Sequence, residues 1–382
     1  MNWNKIKNIS GLKSVGILGF SAIVGNAISV IFWLYLANLL GPEKYGEINY
    51  LIAITYFAST ISFVSGRYAI AIYTAKEVKI QSTLYLITII SSITAALVLF
   101  FLFNNIGMSF IVVGSVLFVL TTAELLGRKL FEKYSKYFII QKILFVSFSI
   151  SLYYLIGSQG IILGIGFSFI PFFYMAYKAI KGIKLDFKLL KTRRGFMINN
   201  YLVEIMEQFR IQIDILMIGP LFGFALLGNY HLGIQFFYIL IIFPHIFLNY
   251  TLQADSRGRS TKELKLLAVI ISVGLALIGF YIAPMIVPVI FPEYGDAINL
   301  IPILSLAIIP YTISYTYISK LLGQEKSKHV IIGSTITLIV LILGIITLEE
   351  IFGAQGLAFA VVFAYTAQAL YMIGINYVSA KN

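Results

Sequence analysis

A chain of 382 residues that is 59% hydrophobic and only 12% charged, with a mean hydropathy of +0.92, falls outside the soluble globular class, where roughly 25% of residues carry charge. The net charge of +12 would suit nucleic acid if the basic residues shared one polar face, but they are scattered through short loops between apolar runs, so no nucleic-acid partner is expected. With no cysteine there is neither a disulfide framework nor a thiolate metal site.

Met1 to Lys13 is polar and basic, and the apolar run after it is too long for a signal-peptide core, so it reads as an uncleaved first span. The runs are about 20 residues long, which matches a hydrocarbon core of roughly 30 Å crossed at 1.5 Å per residue by a helix. In chain order they fall at 14–39, 46–66, 82–103, 108–126, 138–156 and 160–177, then at 198–218, 224–251, 265–290, 298–319, 328–348 and 355–378. The expectation is an all-α integral membrane protein of twelve transmembrane helices.

The basic residues test that count. Of 28 lysines and arginines, 25 lie at the termini or in every second loop, and merging or missing a span would scramble this alternation. By the positive-inside rule those loops and both termini are cytoplasmic, in a plasma membrane. The opposite loops hold Lys44 and several acids, and Lys142 and Arg210 remain inside helices. The longest polar connection, Lys178 to Arg194, divides the chain into an N-terminal bundle with its linker, 1–194, and a C-terminal bundle, 195–382. Six spans on each side give both halves the same orientation, so a duplication would be a parallel repeat. Glycines five apart recur after the first span of each half, at Gly41 and Gly46 and at Gly223 and Gly228.

The seventh run is unlike the others, because Glu204, Glu207, Arg210 and Asp214 interrupt it. Each charge at the centre of a bilayer helix disfavours insertion by roughly 2.5–3.5 kcal/mol, so the four must face protein or water. At the helical period of 3.6 residues per turn, these four fall together with Asn199 and Asn200 on one face of the helix. Arg210 lies roughly 18 Å along the run, near mid-membrane. The stripe is a candidate substrate or ion pathway, joined by Asn26 on the first span, and it also reads as a ladder of ion pairs at i, i+3 and i, i+4. Its formal −2 calls for a basic group, water, or a coupled Na⁺ or H⁺. His245 after Pro244 is a candidate for proton coupling or an interhelical hydrogen bond. Glu124 and Arg128 are spaced to pair at i, i+4. The chain shows no P-loop, no paired-histidine metal spacing and no Gly-x-Ser-x-Gly elbow, so neither catalysis nor a resident cofactor is expected.

Leu36 to Gly46 at the first outer turn, Arg210 and Asp214 ahead of Gly228-Asn229-Tyr230, Gly323 to Lys326, and Phe352 to Ala358 together resemble the polysaccharide transporter (O-antigen flippase) family of the multidrug, oligosaccharidyl-lipid and polysaccharide exporter superfamily. The resemblance implies two six-helix bundles around a central cavity, alternating access, and movement of a polyprenyl-diphosphate-linked oligosaccharide to the outer leaflet. It implies as partners that lipid, the surrounding membrane lipids and enzymes of polysaccharide assembly. Asn38 stands where relatives often carry arginine. A pyrophosphate headgroup needs cations, and Arg67, Arg128 and Lys142, read as lying at cytoplasmic helix ends, are the candidates, with Arg67 favoured. Two alternatives stay open: a multidrug cation/H⁺ or Na⁺ antiporter of the same superfamily, which the acidic stripe suits, and a membrane glycan polymerase or ligase, which the short outer loops disfavour.

Overall fold

The computed structural model describes residues 12–64, 66–78, 80–180, 185–255, 261–323 and 326–381, and every element among them is an α-helix. In order these are α1 (Leu12–Ser62), α2 (Arg67–Ala75), α3 (Gln81–Phe103), α4 (Ile106–Gly127), α5 (Phe131–Ile156), α6 (Ser158–Phe167) and α7 (Ile170–Ile180). They continue with α8 (Phe187–Phe222), α9 (Phe224–Asp255), α10 (Lys262–Ile290), α11 (Gly295–Leu306), α12 (Ile308–Gly323), α13 (Ser327–Phe352) and α14 (Ala354–Lys381).

Ten stretches of the described residues are long and apolar enough to cross a membrane. One of them, Gly16–Ser62, is 47 residues long and bends at Gly41 (φ 69°, ψ 169°) ahead of Pro42, so it supplies the first two spans. Helix α8 is not among the ten, since its charged residues break the apolar run, and with it the twelve expected spans are complete.

Four boundaries differ most from the sequence reading, and the largest shift is at α8, which begins at Phe187 rather than near 198 because the helix runs on into the polar connection. The fifth helix begins at Phe131 rather than near 138, because Phe131 to Tyr137 continues the helix beyond the apolar run. The sixth and tenth spans are each split in two. In both, the first helix stops four residues before a proline, at Phe167 before Pro171 and at Leu306 before Pro310, where the proline ring would meet the carbonyl four residues earlier. At the first break Gln141 donates to the Ser168 hydroxyl (3.0 Å), a side chain meeting polar groups inside the membrane as such a break requires. The short helix α2, between the second and third spans, has an apolar run of only Tyr68 to Tyr73, too short to cross a membrane, and is absent from the sequence reading.

The chain packs as two compact units, residues 12–32 with 50–212 and residues 33–49 with 213–381. These differ from the covalent halves 1–194 and 195–382: the division falls inside α8, and the first outer turn belongs to the second unit. The reason lies in that turn's contacts. A Cβ on Gly46 would stand 2.0 Å from the Phe224 carbonyl oxygen, and a Cβ on Gly228 would stand 1.9 Å from the Pro42 carbonyl oxygen. Pro42 and Phe224 each follow a glycine of positive φ, Gly41 (φ 69°) and Gly223 (φ 93°). The contact is therefore reciprocal, each half's second glycine seated on the other half's first turn. Tyr294 secures the turn by donating to the Ala37 carbonyl (2.8 Å), and Asn38 donates to the Ile290 carbonyl.

A second repeated turn confirms the pattern. Gly157-Ser158-Gln159-Gly160 links α5 to α6, and Gly353-Ala354-Gln355-Gly356 links α13 to α14, six spans later. Gly157 and Gly353 have φ 75° and 58°, where side chains are disfavoured. A Cβ at Gly160 would lie 2.1 Å from the Leu152 oxygen, and one at Gly356 would lie 2.0 Å from the Leu348 oxygen. A parallel repeat of six spans accounts for both pairs of turns.

Because backbone oxygens this close cannot move aside as a side chain can, Gly46→Ala and Gly228→Ala should each destabilise the protein by about 1–3 kcal/mol. Thermal melting in detergent reads this directly, with Gly274→Ala, which meets no atom within 4 Å, as the unaffected control.

Candidate functional site

The polar stripe of α8 lies on one helix face, yet the packing divides it among three local arrangements. At the basic end, the Glu204 carboxylate accepts the backbone N–H of Arg67 at 2.6 Å. Arg67 is the first residue of α2, and its N-cap, Gly66 (φ 70°), has no side chain with which to cap. A carboxylate brought from α8 therefore takes the role of a cap, where exposed N–H groups and the helix dipole favour negative charge. Gly66 faces Asn200 and the Tyr201 backbone, and Tyr201 donates its hydroxyl to the Ile61 carbonyl (2.6 Å). Phe57 and Phe209 add a ring contact at 5.8 Å. The end of α1 and the start of α2 are thus laid along 200–209 of α8.

One turn further, Arg210 and Glu207 form the expected i, i+3 pair at 2.9 Å, with side chains 24% and 52% exposed. Asp214 belongs to a different environment: it is buried and accepts the Tyr230 hydroxyl at 2.7 Å, so it ties α8 to α9 in the second unit. Asn199 is exposed, Asn200 is half-buried, and Asn26 is exposed on α1. Of the formal −2, then, Glu204 faces a helix N-terminus, Glu207 faces an arginine, and Asp214 faces a phenol.

The three candidate headgroup cations also separate. Arg128 is engaged by Glu124, with Nη2 at 2.6 Å and Nε at 2.9 Å from Oε1, while Tyr85 donates to Oε2 at 2.8 Å. Arg67 is exposed at the start of α2. Lys142 is not one turn into the fifth helix. It is eleven residues from Phe131, roughly 16 Å along α5, because the helix starts earlier than the apolar run, and it lies about one turn inside that run. Its Nζ lies 5.7 Å from the Phe138 ring centroid and 5.6 Å from that of Phe145. Both rings are anchored on α1: Phe138 sits where a Cβ on Gly25 would be, and Phe145 meets Phe32 edge-on at 4.5 Å. Among the described residues no carboxylate forms an ion pair with Lys142.

The side chain of His245 lies outside the described residues, as do Gln324 and Glu325 of the motif before α13. The sequence reading passed over His231, which is buried, 3.2 Å through Nδ1 from the Tyr45 hydroxyl, and edge-on to Trp33. It also missed Tyr230 as the partner of Asp214. The signal was available: the two flank the turn at Gly223 by nine and seven residues, which brings them level in a helical hairpin.

No family model matches the chain, and no curated protein matches it. Solved structures do. A lipid II flippase, MurJ, in an inward closed conformation superimposes with a TM-score of 0.76 at 16% identity over 96% of this chain and 87% of its own. An inward-facing multidrug resistance transporter of the MATE family in the MOP superfamily gives 0.69 at 12% identity, over 96% and 98%. A MOP superfamily transporter from Pyrococcus furiosus Vc1 (DSM3638), whose binding pocket has reversed polarity that suggests a different function, gives 0.63 at 12%, over 96% of each chain. The chain has the fold of the MOP superfamily transporters. At these identities the likeness speaks for architecture, and the polar groups of this chain must speak for its chemistry.

Replacing Glu204 by alanine should expose the first N–H groups of α2, removing a charge-assisted hydrogen bond worth about 1.5–3 kcal/mol. Hydrogen exchange should then accelerate roughly tenfold or more across 67–75 while Asn199→Ala leaves it unchanged; equal protection in both would remove the capping role.

Proposed function

We propose that this chain is a flippase that moves a polyprenyl-diphosphate-linked oligosaccharide from the cytoplasmic to the outer leaflet by alternating access. The observation that carries the proposal is Lys142. A lysine inside a membrane helix disfavours insertion by roughly 2.5–3.5 kcal/mol, and cation–π contacts return about 0.5–2 kcal/mol. The difference is best supplied by an anion that comes and goes. A diphosphate has the required charge, and an intramembrane cation that no carboxylate pairs with among the described residues is suited to receive it.

The divided stripe supports the same reading. Taken as one site of −2, α8 would favour a cationic drug and repel a diphosphate. With Glu204 on the end of α2 and Asp214 on Tyr230, the half-exposed Glu207–Arg210 pair is what remains near mid-span, and it is neutral. Such a pair offers donors and acceptors to sugar hydroxyls. Pocket polarity is also the property that sets the Pyrococcus furiosus transporter apart within this fold. The cation antiporter, drawing on H⁺ or Na⁺, is the rival reading, and it loses ground because none of the three acids stands alone.

On this reading the lipid tail stays in the bilayer, both termini are cytoplasmic in the plasma membrane, no chemical step is catalysed, and an ion gradient or the membrane potential drives the cycle. Partners are the lipid-linked oligosaccharide and the enzymes that make and use it.

In proteoliposomes carrying a fluorescent polyprenyl-diphosphate oligosaccharide, Lys142→Gln should reduce translocation at least tenfold, and Lys142→Arg should retain most of it. Arg210→Ala should also fail to translocate while inserting normally. Proton- or Na⁺-driven efflux of a cationic dye by the wild-type protein, with no lipid translocation, would establish the antiporter instead.

A further inference from the structure

Helix α8 has a second face that the polar stripe does not use. Arg194, Met197, Ile198 and Leu202 from α8, with Leu84 and Ile87 from α3, line a cleft of about 360 Å³ in the first unit. At the helical period, Arg194, Ile198 and Leu202 fall on the side of the helix away from the stripe, and Met197 falls at its edge beside Glu204. The cleft is almost wholly apolar, and Arg194 is its charged lining group. Tyr201 also lines it, but its hydroxyl is directed to the Ile61 carbonyl.

We propose that this cleft holds one acyl chain of an anionic phospholipid from the leaflet on the basic side of the membrane, with the lipid phosphate on Arg194. The apolar lining takes hydrocarbon and offers a sugar few partners. A volume near the lower end of small-ligand pockets, roughly 300–1,000 Å³, suits part of one chain. A guanidinium matches phosphate with paired hydrogen bonds, and Lys188, Lys191 and Arg193, all exposed on the same end of α8, extend the positive field that draws an anionic headgroup there. Since most of the cleft lining lies on the face of α8 away from the polar stripe, the bound phospholipid bridges α3 and α8 beside, and not across, the face assigned to the transported molecule.

The test is photo-crosslinking of the full chain in nanodiscs with phosphatidylglycerol carrying a diazirine on one acyl chain, against the same probe on phosphatidylcholine. Phosphatidylglycerol should label 84–88 and 190–202 at least fivefold more than phosphatidylcholine, and Arg194→Gln should erase that preference. Ile198→Trp, which fills the cleft from an exposed position, should abolish labelling by both probes with unchanged melting. In the wild-type protein the preference should also fall as salt is raised, which reads the charge contact without any variant. Equal labelling by the two probes, labelling that survives Ile198→Trp, or a preference insensitive to salt would overturn the site. Displacement of phosphatidylglycerol by an equimolar polyprenyl phosphate would overturn it too, by giving the cleft to the transported lipid.

Discussion

A charge inside hydrocarbon has to be matched, and that constraint organises the polar residues of this chain. Four acids and two arginines at or near the spans meet it locally: Glu204 with the N–H of Arg67, Glu207 with Arg210, Asp214 with Tyr230, and Glu124 with Arg128 and Tyr85. Lys142 meets it only with aromatic faces among its described contacts. One cation left over is a different molecule from an acidic stripe left over. The first waits for an anion and the second for a cation, which is why the functional proposal turns on where each acid finds its partner.

The backbone solves a parallel problem with glycine. Spans that must approach within carbonyl distance carry no Cβ there, at Gly46 and Gly228 across the first outer turn and at Gly160 and Gly356 beside their own preceding helices. The same positions recur six spans apart. Of the segments that carry the family resemblance, Leu36 to Gly46, Gly228 to Tyr230 and Phe352 to Ala358 contain these packing glycines, so that part of the resemblance marks helix packing and says little about cargo.

Much of this was legible in the sequence. Apolar run length gave the spans, loop charge tested the count, and helical spacing anticipated Glu207–Arg210 and Glu124–Arg128. What failed did so for identifiable reasons. Hydropathy sees where a helix enters lipid and not where it begins, so α5 starts at Phe131, ahead of the apolar run, and Lys142 lies three turns into the helix rather than one. A helical wheel shows that Glu204 and Asp214 share a face but cannot show that one meets α2 and the other α9. The split spans were foreshadowed by Pro171 and Pro310, yet only the fold shows that both helices stop four residues earlier. Helix α2 has an apolar run too short to announce a span, and its capping carboxylate lies 137 residues downstream.

The central claim is that Lys142 holds the anionic end of the transported lipid. It is tested most directly by equilibrium binding of polyprenyl diphosphate without any glycan, measured against polyprenol of the same length, to the purified chain in nanodiscs. The account predicts that the diphosphate binds at least tenfold more tightly than the alcohol, and that this difference disappears in Lys142→Met. Equal affinity of the two lipids for the wild-type protein, or a diphosphate preference that Lys142→Met leaves intact, would contradict it.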